Sequence, residues 1–134
     1  MSAPPVADRG FFLFVYGSLR AGGEAAARLL AGCTWLRAAS VRGTLYDIDG
    51  EYTALMLYGG AVIGGEIWHV PDAARLVRLD EYEGVERGLF RRIGVEVDGV
   101  PCWTYVAGPA LAHKLTPERR LRDAAPQPGE ATPG

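Results

Sequence analysis

The sequence has few cysteines and no marked excess of charge of either sign. Cys33 and Cys102 are the only two cysteines, and neither stands in a CxxC pattern or beside a histidine at ligand spacing. This gives little support to a disulfide scaffold or a zinc site, and a reducing cytoplasm is the expected location. The formal net charge is only −2, so the chain lacks a field that would gather nucleic acid or anionic lipid. We therefore expect neither of these as a partner, and no metal or cofactor is indicated.

Long hydrophobic runs are also lacking. The apolar run Phe11–Val15 is too short for a signal-peptide core or a membrane span, and no basic segment precedes it. We therefore expect nothing in this sequence that exports the chain or anchors it in a membrane.

What the chain does contain is a regular succession of strand and helix patterns. The run Phe11–Val15 ends at Tyr16-Gly17 and predicts a central strand buried on both faces. Alanine, leucine and arginine between Gly22 and Gly32 predict a short helix. Alternation and turn signals over 41–70 predict three strands, separated at Asp49-Gly50 and at Gly59-Gly60.

The second half of the chain continues this pattern. Pro71-Asp72 opens a second helix that runs to about Gly84, with Asp72 or its neighbour as N-cap. Asp98-Gly99 lies between two strand patterns and predicts a hairpin with a type I′ turn. Beyond Pro109 prolines become frequent and apolar periodicity is lost. We therefore expect one domain over 1–110 and a C-terminal arm or mobile tail over 111–134.

Together these elements predict an α+β fold. About six strands with 18 glycines favour a small mixed β-barrel, because strands in a small barrel must bend and bulge. The two short helices would flank it.

Three carboxylates at the end of the second helix, Asp80, Glu81 and Glu83, form the most unusual feature. The helix C-terminus repels negative charge at a cost of about 0.3–1 kcal/mol for each group. Glu83 continues the stripe of Leu76 and Leu79, so it should point inward with a raised pKa, as a general base would require.

The helical spacing gives the other two acids different surroundings. Glu81 falls on the solvent side, and Asp80 lies at the margin, where it could hydrogen-bond a neighbouring loop. An alternative explanation for Glu83 is a structural one. Its carboxylate could be satisfied by Arg87, Arg91 or Arg92, or by backbone amides at the helix end.

The turn from Tyr16 to Leu19 is the second candidate site. Gly17 has no side chain to keep a ligand away, and successive backbone amides could converge on an anion. An ordinary strand-to-helix turn is the alternative. Ser18 lacks a histidine base linked to it by a motif, and the glycines lack the Gly-Lys-Ser/Thr of a phosphate loop.

These motifs, taken in order, resemble the γ-glutamylcyclotransferase family in its AIG2-like branch. The resemblance spans about 12–106, and it rests on segments that are short alone but specific as an ordered set. They are Tyr16-Gly17-Ser18-Leu19-Arg20, Gly43-Thr44-Leu45-Tyr46-Asp47, Gly65-Glu66-Ile67-Trp68 and Leu79-Asp80-Glu81-Tyr82-Glu83-Gly84-Val85, with Phe90-Arg91 downstream.

The resemblance implies a mixed barrel with a cavity at one mouth and an enzyme without metal or organic cofactor. Its reaction is an intramolecular cyclisation of lyase or acyltransferase type: a γ-glutamyl substrate gives 5-oxoproline and a free amine or amino acid. By position, Glu83 is the catalytic acid/base, and the backbone of Tyr16, Gly17, Ser18 and Leu19 holds the γ-glutamyl α-carboxylate.

Tyr46 and Tyr105 are plausible cavity-lining residues in the same picture, although packing roles would suit either equally well. Phe90 replaces a tyrosine that members often carry, so the amine released is not indicated. The alternative function is a non-catalytic small-molecule binding or regulatory module on the same fold, because a fold does not guarantee the reaction.

Overall fold

The computed structural model describes residues 10–17 and 24–121. These residues form a single five-stranded sheet with two α-helices and three short 3₁₀ helices. The strands are β1 (Phe11–Val15), β2 (Thr34–Ile48), β3 (Tyr52–Val70), β4 (Phe90–Val97) and β5 (Val100–Ala107). The α-helices are α1 (Glu24–Leu29) and α2 (Ala73–Tyr82), and the 3₁₀ helices are Val85–Arg87, Pro109–Lys114 and Pro117–Arg119.

Strand β1 lies at the centre of the sheet, in the order β2-β3-β1-β5-β4. It pairs antiparallel with β3 and parallel with β5, so the sheet is mixed. Leu13 and Val15 belong to one buried cluster and Phe14 belongs to the other, on the opposite face. The prediction of a first strand buried on both faces is therefore confirmed.

The region 41–70 contains parts of two strands, and the prediction of three is wrong. The turn at Asp49-Gly50 joins β2 to β3, but β3 continues through Gly59-Gly60 and stays paired with β2 on both sides. The register steps from Gly43 opposite Ala61 to Thr44 opposite Met56, so residues 57–60 protrude from the ladder. The glycine pair marks a bulge rather than a reversal of the chain.

Closure of the sheet into a barrel is not confirmed. Within the described residues, β2 and β4 are the two edge strands, and no strand pairing joins them. An ion pair of 2.8 Å between Arg37 on β2 and Asp98 in the β4–β5 turn links the two edges through side chains. That turn has φ of 52° at Asp98 and 81° at Gly99, which agrees with the predicted type I′ hairpin.

Helix α2 begins and ends where the sequence predicts. The Asp72 carboxylate accepts a hydrogen bond from the Arg75 backbone N–H at 2.9 Å, which satisfies an otherwise unpaired amide of the first turn. Leu76 and Leu79 are buried in the core on one face of the helix. Among the described residues, no helix has the length and apolar content needed to cross a membrane.

The chain after β5 packs back onto the sheet as far as it is described. The backbone N–H of Leu121 donates to the carbonyl oxygen of Leu45 at 2.9 Å, and Lys114 and Arg119 both pair with Asp49. Residues 122–134 lie outside the described part. The division into a domain over 1–110 and an arm or tail over 111–134 stays a prediction.

Candidate active site

A cavity of about 470 Å³ opens where the end of β1, the start of β3 and the end of α2 meet. Its walls are mainly aromatic and apolar, with a small number of charged and polar groups. The lining residues are Phe14, Val15, Tyr16, Gly17, Glu51, Tyr52, Thr53, Tyr82, Glu83, Arg87, Leu89, Phe90 and Tyr105. This volume and this mixture are typical of a small-molecule site.

Helix α2 carries Glu83 to the wall of the cavity. The residue is the C-cap of α2, and its backbone N–H donates to the Leu79 carbonyl oxygen at 2.9 Å. Leu76 and Leu79 bury the same face of the helix, so Glu83 continues their stripe toward the interior. Its side chain is partly buried and lines the cavity.

The surroundings of Glu83 raise its pKa from 4.5 to about 7. The larger cause is burial, which disfavours the charged form, and the second is the negative charge of Asp80 on the same helix. Within the described part of the chain, no side chain or amide hydrogen-bonds or ion-pairs with the Glu83 carboxylate. Arg92, a possible counter-ion for Glu83 by sequence, pairs with Asp80 instead.

The two other acids of this helix have different surroundings. Glu81 is exposed, as the helical spacing predicts. Asp80 accepts hydrogen bonds from Arg92 on β4 at 2.7 and 2.9 Å and from the Tyr105 hydroxyl on β5 at 2.6 Å. Its partners therefore belong to strands, whereas the sequence suggested a loop.

Hydrogen bonds of the Tyr16 hydroxyl link the end of β1 to β5 and β3 at the cavity. Its hydroxyl donates to the backbone oxygen of Tyr105 at 2.5 Å and accepts a hydrogen bond from the backbone N–H of Leu55 at 3.1 Å. Burial raises the pKa of this phenol. The side chain is therefore fixed in its neutral form, and it anchors the end of β1 to β5 and β3.

Gly17 places bare backbone at the cavity wall. Its φ is 68°, a left-handed conformation that glycine adopts at little cost. A Cβ at this position would lie 3.0 Å from the Thr53 hydroxyl oxygen, so the Thr53 side chain closely approaches the backbone of Gly17. The predicted contributions of Ser18 and Leu19 lie outside the described residues.

Of the two tyrosines predicted to line the cavity, only Tyr105 does so. Burial, followed by the hydrogen bond to Asp80, raises its pKa. Tyr46 is buried in the core, and its hydroxyl lies 2.8 Å from that of Tyr58. The prediction that Tyr46 lines the cavity finds no support in this arrangement, because the hydroxyl points to the bulge of β3.

Sequence reasoning missed the wall that the β2–β3 turn contributes. Glu51, Tyr52 and Thr53 line the cavity there, and the Tyr52 ring lies 5.8 Å from the Phe90 ring, measured between centroids. No local signal marks these residues, because strand pairing brings them to the site. As for metals, the described residues contain no group of three or more potential ligands that could hold an ion.

The site and the sheet define a small α+β protein with an acidic side chain in a largely apolar cavity. A sequence model of the family described as "Gamma-glutamyl cyclotransferase, AIG2-like" matches residues 13–125. The chain therefore belongs to this family, and the resemblance drawn from its motifs is confirmed.

A curated relative from Niallia circulans, named gamma-L-glutamyl-butirosin B gamma-glutamyl cyclotransferase, is 36% identical over 103 residues. The match covers 70% of this chain and 65% of the length of that relative.

Solved structures share the fold. An uncharacterized protein from Pyrococcus horikoshii gives a TM-score of 0.66 at 20% identity, covering 86% of this chain and 88% of that one. An AIG2-like protein from Mus musculus gives a TM-score of 0.66 at 21% identity, covering 83% of this chain and 82% of that one. At these identities the likeness supports the fold alone.

Proposed function

We propose that this protein is a γ-glutamyl cyclotransferase. In the reaction, the α-amine of a γ-glutamyl group attacks the carbonyl carbon of its own γ-amide. The new C–N bond closes a five-membered ring, and the old amide C–N bond breaks. The products are 5-oxoproline and the free amine or amino acid.

The observation that carries this proposal is the position of Glu83 in the cavity. A carboxyl group with a pKa of about 7 is present in both protonation states near neutral pH, which suits an acid/base catalyst. Glu83 takes a proton from the substrate α-ammonium group, which frees the nitrogen lone pair for attack, and it later gives a proton to the departing amine. One residue can perform both steps because the first protonates its carboxylate and the second returns the carboxylate to its starting state.

The remaining contribution of the site to catalysis is to position the substrate. Cyclisation brings together two groups of the same molecule, so holding the amine against its carbonyl supplies much of the rate enhancement. The backbone from Tyr16 to Leu19 binds the α-carboxylate end in this proposal, with Gly17 giving close access. The Thr53 hydroxyl beside Gly17 and the Tyr105 ring form adjoining walls.

The identity of the released amine is open in this proposal. The relative from Niallia circulans is named for gamma-L-glutamyl-butirosin B, and we extend to this chain only the γ-glutamyl part of that name. The substrate is a free small molecule in the cytoplasm, and the reaction needs no metal or organic cofactor.

The test is release of 5-oxoproline from a panel of γ-glutamyl amino acids and γ-glutamyl amines. We expect turnover of at least one member by the wild type. The Glu83→Gln variant should lose about 10²- to 10⁴-fold in kcat, because the proton route is removed. Glu81→Gln is the matched control: it removes a neighbouring exposed carboxylate and should leave the rate within about twofold, since surface substitutions have small effects.

Other outcomes decide against the proposal. Inactivity across the panel, with a γ-glutamyl compound still bound, would identify a non-catalytic binding module. Full activity in Glu83→Gln combined with loss of activity in Ser18→Ala would identify a hydrolase or transferase with a serine nucleophile.

A further inference from the structure

Asp80 is the centre of a hydrogen-bonded network beside the cavity. Arg92 donates to both of its carboxylate oxygens, from Nε at 2.7 Å and from a terminal nitrogen at 2.9 Å. The Tyr105 hydroxyl donates to the first of these oxygens at 2.6 Å. Bidentate arginine pairing and a short hydroxyl bond are among the stronger interactions of this kind.

The network is held in place from its far side as well. The guanidinium carbon of Arg92 lies 4.3 Å from the centre of a Trp103 ring, a cation–π distance. Both strands that supply the partners, β4 and β5, are paired along their length. Asp80 therefore joins the last turn of α2 to a rigid hairpin.

Glu83 lies three residues after Asp80, at the same helix end, and so on a neighbouring position of the helix surface. Tyr105 connects the same region to β1, because its backbone oxygen accepts the Tyr16 hydroxyl. A continuous set of contacts thus runs from Asp80 through Tyr105 to Tyr16, around the wall that Glu83 shares.

We propose that Asp80 is a positioning residue for Glu83. It fixes the end of α2 against β4 and β5, and it holds a negative charge one helical turn before the Glu83 carboxyl. This inference rests on the proposed function only for its effect on turnover.

Other ionisable groups line the same cavity. They are Tyr16 from β1, Tyr105 from β5, Arg87 from the 3₁₀ helix after α2, Glu51 from the β2–β3 turn, Tyr52 from β3 and Tyr82 from α2 itself. Of the charged side chains near Glu83, Asp80 is the one whose charge raises the Glu83 pKa, second to burial.

The proposal predicts opposite effects for the two halves of the ion pair. In Asp80→Asn the like charge disappears, so the Glu83 pKa should fall by about 0.5–1 unit. In Arg92→Met the Asp80 charge remains without its counter-ion, so the Glu83 pKa should rise. If Asp80 served only in packing, the two substitutions would not shift the Glu83 pKa in opposite directions.

The experiment is a ¹³C NMR titration of the Glu83 carboxyl in the full-length protein labelled on glutamate. The Glu83→Gln variant assigns the signal, and Glu81→Gln is the matched control for removing one carboxylate from the same helix. We expect a lower midpoint in Asp80→Asn, a higher one in Arg92→Met, and an unchanged one in Glu81→Gln. Equal midpoints in Asp80→Asn and Glu81→Gln, or shifts of the same sign in both network variants, would overturn the proposal.

Turnover provides the second readout. Asp80→Asn should lower kcat by about tenfold and leave KM within about twofold, because the proton carrier is disturbed more than the substrate cradle. The titration needs no turnover. If the wild type released no 5-oxoproline on any substrate, the proposed function would fail while the titration still decided the role of Asp80.

Discussion

At the scale of single residues, one short stretch of α2 gives three acids three different environments. Glu81 is exposed, Asp80 is held by Arg92 and Tyr105, and Glu83 lines the cavity. Helical periodicity separates Glu83 from Glu81 using only local sequence. The partners of Asp80 lie 12 and 25 residues away, so they depend on the topology of the sheet, and local patterns do not indicate them.

Gly17 provides a test of the proposed substrate cradle. Gly17→Ala forces a left-handed alanine, which costs about 1–2 kcal/mol, and it places a Cβ 3.0 Å from the Thr53 hydroxyl oxygen. We expect kcat/KM to fall about 10- to 100-fold, because a small displacement in a binding wall is enough for such a loss. Steady-state kinetics and urea unfolding measure the two effects.

Gly50→Ala is the matched control for this change. Gly50 also has a positive φ, of 73°, but a Cβ there meets nothing within 4 Å. The Gly50→Ala variant should lose about as much stability as Gly17→Ala, and it should keep its activity. Equal kinetic losses in the two variants would show that strain, and not the wall beside Thr53, sets the effect.

At the scale of elements, β3 explains why the strand count was wrong. Gly59 and Gly60 carry a local turn signal, but β2 pairs with β3 before and after the bulge and keeps the chain in one direction. Cross-strand pairing over the long β2–β3 ladder therefore outweighs two glycines. The hairpin at Asp98-Gly99 was predictable because there the turn signal and the strand patterns agree.

Gly65 tests how closely β3 approaches β1. A Cβ at Gly65 would overlap the backbone oxygen of Val15 and would lie 2.6 Å from Cζ of Phe14. Gly65→Ala should therefore lower the free energy of unfolding by about 1–3 kcal/mol, as overpacking does. Urea unfolding at neutral pH measures this change.

Gly60→Ala, in the same strand, is the matched control. A Cβ at Gly60 meets nothing within 4 Å, so its unfolding free energy should change by less than about 0.5 kcal/mol. Similar losses in both variants would contradict the close approach of β1 and β3.

At the scale of the whole molecule, the cavity depends on segments that are distant in sequence. The ends of β1 and α2 were recognisable, because an apolar run stops at Tyr16-Gly17 and a helical stripe ends in Glu83. The wall from the β2–β3 turn was not recognisable, and for Tyr46 the sequence left a cavity role and a packing role open, of which the structure shows the core position. Sequence thus located the candidate groups of the site, whereas the shape of the cavity around them follows from long-range strand pairing.

The most direct test of the central claim is the pH dependence of kcat/KM for 5-oxoproline release. Glu83 must be ionised to accept a proton, so activity should rise with pH and level off above its pKa of about 7, changing about tenfold per pH unit below it. The Glu83→Gln variant should lack this rise of kcat/KM with pH. An acid limb centred near 4.5, the ordinary value for a glutamate, or a limb that persists in Glu83→Gln, would contradict the account.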